Sequence, residues 1–116
     1  MDFDNNTPIY IQLVDDLKIS IISGKLKPNE RIASVRELAL QKKVNPNTMQ
    51  KALTELENMN LIYTERTNGK FVTNDEKLIN EFKQKYARNL TSNYIKGMNG
   101  LGYKIEDIIE IIKEGE

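Results

Sequence analysis

Cysteine and histidine are both missing from this 116-residue chain. Without thiols there is no disulfide framework and no cysteine nucleophile, and a reducing cytoplasm is the compartment to expect. Without imidazole, the most frequent general base and the most frequent transition-metal ligand are gone together. No apolar run approaches the length that crosses a bilayer, so no membrane association is expected. The first residues, MDFDNNTP, are acidic and polar, unlike a signal or transit peptide. A phosphate loop is missing as well, since NGLG at 99–102 lacks the lysine and the spacing. Carboxylates are common, but no close pair stands in a setting that would raise one pKa for acid–base work. The chain therefore reads as a non-enzyme, with no metal and no cofactor.

Net positive charge is also lacking, because 17 basic residues balance 17 acidic ones. The distribution matters more than the sum. Residues 25–51 hold seven positive side chains against Glu30 and Glu37, whereas 1–24 and 103–116 each carry an acidic excess of three. Such an asymmetry suits one phosphate-facing surface with acidic ends turned away from it.

That basic stretch contains the most informative pattern, IASVRELALQKKVNPNTMQKALTELENMNLI from Ile32 to Ile62. Ser34 stands three residues before Glu37 and just ahead of Val35, Leu38 and Ala39, a capping box opening a short helix. Asn45-Pro46 opens a second helix, with a cap residue followed by proline at the first helical position. Met49, Ala52, Leu53 and Leu56 recur at helical spacing and define its buried face. Asn47, Thr48, Gln50, Lys51 and Thr54 are left outward. Two helices, a tight turn and a polar outer face make a helix-turn-helix.

Before this pair, Thr7-Pro8 predicts a cap and first-turn proline, and Tyr10, Leu13, Val14, Leu17 and Ile21 an amphipathic helix ending near Ser23-Gly24. After it, Asn60 is placed to end the second helix in a left-handed conformation. Ile62 to Thr64 and Phe71-Val72 favour strands around Asn68-Gly69, the strongest short hairpin signal, with the tip at Thr67 to Lys70. The spacing of Leu78, Phe82, Tyr86, Leu90 and Tyr94 predicts one long helix from Asp75 to about Lys96, broken by MNGLG at 98–102. A last helix, Lys104 to about Lys113, carries Ile105, Ile108, Ile109, Ile111 and Ile112. Its apolar stripe is too wide for one small domain to cover, which predicts a second subunit. The fold class expected is mainly α with a small β-hairpin wing: a winged helix-turn-helix domain over 1–74 and two dimerisation helices over 75–116.

From Pro8 to Thr73 the chain resembles the winged-helix domain of the GntR family of bacterial transcriptional regulators. The resemblance is carried by PIYIQL (Pro8–Leu13), SVRELA (Ser34–Ala39), VNPNTMQKAL (Val44–Leu53), Leu61-Ile62 and NGKFV (Asn68–Val72). With no room for a separate ligand-binding domain, it looks like the YtrA-like subfamily, in which two C-terminal helices mediate dimerisation. The chain departs from the family pattern at Ala33, where proline is usual, and at Asn29, Asn60 and Thr67, where glycine is usual.

The resemblance implies a cytoplasmic regulator, expected to act as a repressor, that binds a pseudo-palindromic operator in double-stranded DNA as a homodimer. DNA contacts are implied for Arg36, for Asn45, Asn47, Thr48, Gln50 and Lys51, and for Gly69 and Lys70 in the wing. Ser34 has phosphate contact as a second role beside its cap. The amides of Asn47 and Gln50 suit adenine edges, while Lys51 and Lys42 suit phosphates. Leu78, Phe82, Tyr86, Leu90, Tyr94, Ile105, Ile108, Ile109 and Ile112 are assigned to dimerisation. The alternative is a winged-helix protein-interaction module without DNA binding. RNA binding is disfavoured because no sheet displays aromatics for base stacking. A small-molecule effector is left unknown.

Overall fold

In the computed structural model, which describes residues 5–116, the elements follow the order α1 (Ile9–Ile22), α2 (Val35–Lys42), α3 (Pro46–Asn58), β1 (Ile62–Glu65), β2 (Gly69–Val72), α4 (Glu76–Gly100) and α5 (Ile105–Glu114). The described residues up to Asn80 form one unit and those from Glu81 to Glu116 a second.

The core of the first unit is where α1 packs on α3, with α2 and β1 closing its sides. Leu13, Met49, Ala52 and Leu53 have no exposed surface, and Leu17, Leu56, Leu61 and Val72 are buried around them. Helix α1 starts one residue later than Thr7-Pro8 suggests. Pro8 itself is the N-cap, in an extended conformation and with no side-chain cap. Its carbonyl accepts from the amides of Ile11 and Gln12. The end falls as expected, with Gly24 at φ +84°.

Ser34 caps α2 by accepting the Glu37 amide at 3.2 Å. The reciprocal half of the box differs from expectation. The Glu37 carboxylate accepts from the Ser34 hydroxyl at 3.3 Å instead of reaching the Ser34 amide. In α3 both signals hold: Asn45 Oδ1 accepts the Asn47 amide at 2.7 Å, and Pro46 occupies the first turn.

Among the described residues, three that are not glycine adopt left-handed backbone: Asn29 (φ 66°), Lys43 (φ 56°) and Asn60 (φ 62°). Asn29 and Asn60 thus stand where glycine is usual in the resembling family, and asparagine tolerates that region better than other side chains. Lys43, at the C-terminus of α2, has no such tolerance. Left-handed backbone costs an ordinary residue roughly 1–2 kcal/mol, against roughly 0.5–1 kcal/mol of entropy that glycine brings. Lys43→Gly is therefore expected to raise stability by up to about 1 kcal/mol in urea unfolding.

The hairpin is antiparallel in the register Ile62↔Val72, Tyr63↔Phe71, Thr64↔Lys70 and Glu65↔Gly69. Its loop is therefore Arg66, Thr67 and Asn68, not a two-residue turn at Asn68-Gly69. A two-residue Asn-Gly loop is a type I′ turn, which needs positive φ at both central residues, and of the two only Gly69 has it, at φ +100°. Asn68 instead binds back to Glu65, amide to carbonyl at 3.3 Å and side chain to carboxylate at 3.0 Å. Residues 29–32 run along the far side of β2. The amides of Val72 and Ile32 donate to the carbonyls of Glu30 and Lys70, both at 2.9 Å.

Asp75 caps α4 through the Leu78 amide at 3.0 Å. The helix passes through Gly97 and ends at Gly100, inside the break expected at MNGLG and four residues beyond Lys96. Glycine inside a helix weakens it by about 1 kcal/mol without ending it. Only Gly102, at φ +94°, takes the terminating conformation. No residue of α4 is buried. In α5, Asp107 accepts the Lys104 amide at 3.0 Å. Ile105, Ile109 and Ile112 are 49%, 46% and 52% exposed, while Ile108 is only 1% exposed. Ile108, expected at a subunit contact, is therefore buried by its own chain and not free for a partner. The stripe left open is the other three isoleucines.

Candidate nucleic-acid interface

The N-terminal ends of α2 and α3 share one outward edge. Arg36, Asn45, Asn47, Gln50 and Lys51 are exposed, and Thr48 is half-buried. They are outward because Met49, Ala52, Leu53 and Leu56 occupy the opposite face of α3.

Their readiness to bind differs. Among the described residues, the side chains of Arg36 and Asn47 have no hydrogen-bonding or ionic partner. Asn45 has its amide oxygen in the cap, so only its NH₂ is free to donate. Gln50 rests its NH₂ on Thr54 Oγ1 at 3.3 Å and must swing from it to reach a base. Ser34 spends its hydroxyl proton on Glu37, leaving none for a phosphate. Lys51 places its ammonium 3.9 Å from the centre of the Tyr10 ring, at the start of α1. That cation–π contact holds the charge beside Asn47 and Thr48 in an open cleft completed by Ile9.

Two lysines differ from expectation. Lys42 is ion-paired with Asp16 of α1 at 2.6 Å. Its charge is met within the domain by that carboxylate, so a phosphate would have to compete with Asp16 for it. Lys70 does not extend from the wing tip. Its ammonium is bound to Glu57 near the end of α3, and to Thr64 Oγ1 at 2.8 Å. The Thr64 hydroxyl also donates to Glu57, at 2.8 Å. Sequence reasoning missed Glu57 because its partners lie 7 and 13 residues on, across the hairpin.

This network ties the wing to α3. The Lys70 hydrogen bond holds the Glu57 carboxyl below its ordinary value, against the opposing effect of burial, with smaller help from Thr64 and the Lys70 charge. A folded-state pKa that is depressed means stability fully present above the ordinary glutamate pKa and lost as pH falls through the folded value. Glu57→Gln is expected to lower stability near neutrality by up to about 1 kcal/mol, the range of partly exposed ion pairs. In strong acid the two proteins converge. Urea unfolding at both pH values checks this, and an equal gap at both would exclude it.

Gly69 serves the wing through its backbone. Arg31 donates from Nε to the Asn68 carbonyl at 2.8 Å. A Cβ on Gly69 would stand 3.2 Å from that same Nε, so the site has little room besides its positive φ. Behind the tip, the rings of Tyr63 and Phe71 stack with centroids 5.6 Å apart. The wing is thus a braced hairpin beside a helix whose front end is polar and open.

Residues 9–72 match the family described as bacterial regulatory proteins, gntR family. The chain belongs to that family. It is a DNA-binding transcriptional regulator built on a winged helix. It is 35% identical over 111 residues to the uncharacterised HTH-type transcriptional regulator YhcF of Bacillus subtilis, covering 96% of this chain and 92% of that protein. Identity to the HTH-type transcriptional repressor YtrA of the same organism is 34% over 115 residues, covering 98% and 88%. A GntR family transcriptional regulator from Listeria monocytogenes superposes with a TM-score of 0.91 at 40% identity, over 98% of this chain and all of that one. The AraR DNA-binding domain in complex with an operator superposes with a TM-score of 0.57 at 29% identity, over 63% of this chain and 88% of that one.

The gntR-family chain has no helix among its described residues long and apolar enough to cross a membrane. Nor do those residues hold a cluster able to bind a metal ion.

Proposed function

We propose that the protein is a homodimeric, cytoplasmic, non-enzymatic repressor of transcription. Residues 1–74 read a pseudo-palindromic operator and 75–116 hold the two copies together. The observation carrying this reading is the open edge at the front of α3, where Arg36 and Asn47 stand exposed and unpartnered beside Lys51. Helix-turn-helix proteins read bases from such a helix end, and their dimers meet successive major grooves about one turn apart. Asn47 and Gln50 supply amides for adenine edges, and Arg36 a planar cation for guanine or phosphate. Thr48, Lys51 and the free NH₂ of Asn45 supply backbone contacts. Gly69 shapes the wing against the flanking duplex, with Lys70 holding its angle to α3. The repressor YtrA and the operator-bound AraR domain support the reading.

Selection of bound duplexes from a random pool, followed by footprinting on the winning sequence, tests it. The expected result is an inverted repeat protected over both half-sites. Equal retention of all sequences, with no footprint, would overturn it.

A further inference from the structure

An apolar groove opens beside the recognition edge, and none of the roles above uses it. Arg36, Ala39, Leu40, Val44 and Pro46 line it, and its volume is about 260 Å³. Leu40 is 80% exposed, more than any other large hydrophobic side chain among the described residues. Packing does not require it there, because Leu38 and Ala39 are the side chains that α2 gives to the core. Pro46, at the other end of the groove, is the first residue of α3. It has no N–H and offers only carbon at the helix end that meets base edges.

The groove is continuous with the DNA-reading edge, since Arg36 lines the one and belongs to the other. Its surroundings are polar or cationic: Lys43, Asn45 and Asn47 are all exposed nearby in the chain. Such a rim suits a polyanion better than an apolar protein face. In the major groove one base edge carries a carbon group, the C5-methyl of thymine. We propose that Leu40, Val44 and Pro46 form a thymine-methyl reader. They seat the methyl groups of thymines in each half-site while Arg36 binds the polar edge or phosphate alongside. This inference rests on the operator-binding reading and adds a base preference that hydrogen bonding does not supply.

The test uses the full chain and a duplex selected from a random pool. Each thymidine is replaced in turn by 2′-deoxyuridine, which removes the methyl and keeps every hydrogen-bonding group. Affinity is read by fluorescence anisotropy at fixed salt. A loss of roughly fourfold is expected for each seated thymine, the factor that burial of one methyl-sized group confers. Leu40→Ser is expected to lose a similar factor on the thymine duplex and little more on the uracil duplex at the sensitive positions. Being highly exposed, position 40 tolerates serine without loss of the fold.

Equal affinity for thymine and uracil at every position, by a chain that still binds its selected site, overturns the methyl reader and leaves the repressor reading standing. Discrimination that persists unchanged in Leu40→Ser overturns it too, by locating the methyl contact elsewhere. A change of oligomeric state in Leu40→Ser, with unaltered discrimination, would assign the groove to a second copy. Failure to bind any selected duplex overturns both readings.

Discussion

Replacing Ile109 and Ile112 together with lysine is expected to turn the proposed dimer into a monomer and to weaken operator binding by a factor of roughly 10²–10⁴, the gain that linking two binding modules ordinarily gives. Helix α4 has 25 residues and none of them is buried. Leu90 and Tyr94 are 57% and 42% exposed on it, and Ile105, Ile109 and Ile112 are about half exposed on α5. Leu78, Phe82 and Tyr86 are half-buried. A stripe of that kind is what a subunit interface covers. Two lysines remove apolar area and add charges that a symmetric contact would have to desolvate. Ile108 is left alone because the chain itself buries it. Lysine is preferred to glutamate because α5 already carries Glu106, Asp107, Glu110 and Glu114. Light scattering gives the mass and anisotropy the affinity. A dimer that survives both substitutions would refute the assignment of these positions to subunit contact.

Much of this architecture is legible from local chemistry. Ser34 and Asn45-Pro46 announce the starts of α2 and α3 because a cap is a bond between neighbours in sequence. The buried face of α3 is legible because helical spacing alone fixes which side chains share a face. What could not be read depends on distant partners. Lys42 looks like a phosphate ligand until Asp16 is brought against it from α1. Lys70 looks like a wing-tip cation until Glu57 takes it. The turn at Asn68-Gly69 has the right residues for a two-residue loop, but the pairing of Glu65 with Gly69 sets a longer one. The break at MNGLG is legible to within a few residues, because Gly100 closes α4 and Gly102 takes the left-handed turn after it. Leu40 is the reverse case. Its hydrophobicity suggests a core position, and only the placement of α2 against α1 and α3 leaves it in water.

Arg36→Ala is expected to lower operator affinity roughly ten- to a hundredfold and to relax preference at the base pairs it meets, the signature of losing a direct contact. Lys51→Ala costs less and affects all sequences alike, while the slope of log affinity against log salt falls by about one ion. The difference follows from their surroundings. The Arg36 guanidinium is free to present its planar fork, which suits bidentate binding of a base edge. The Lys51 ammonium rides on Tyr10 at 3.9 Å, a contact that positions a point charge without directing it to particular bases. Lys42→Ala supplies the contrast. Its charge is already met by Asp16, so the salt slope should stay at the wild-type value even though a nominal cation is gone. Anisotropy titrations of the three variants across a salt series, on the selected duplex and a scrambled one, separate these outcomes. Should Lys42→Ala reduce the slope as much as Lys51→Ala, positive charge would be acting as a diffuse field, and the open edge at the front of α3 would lose its claim to be the point of contact.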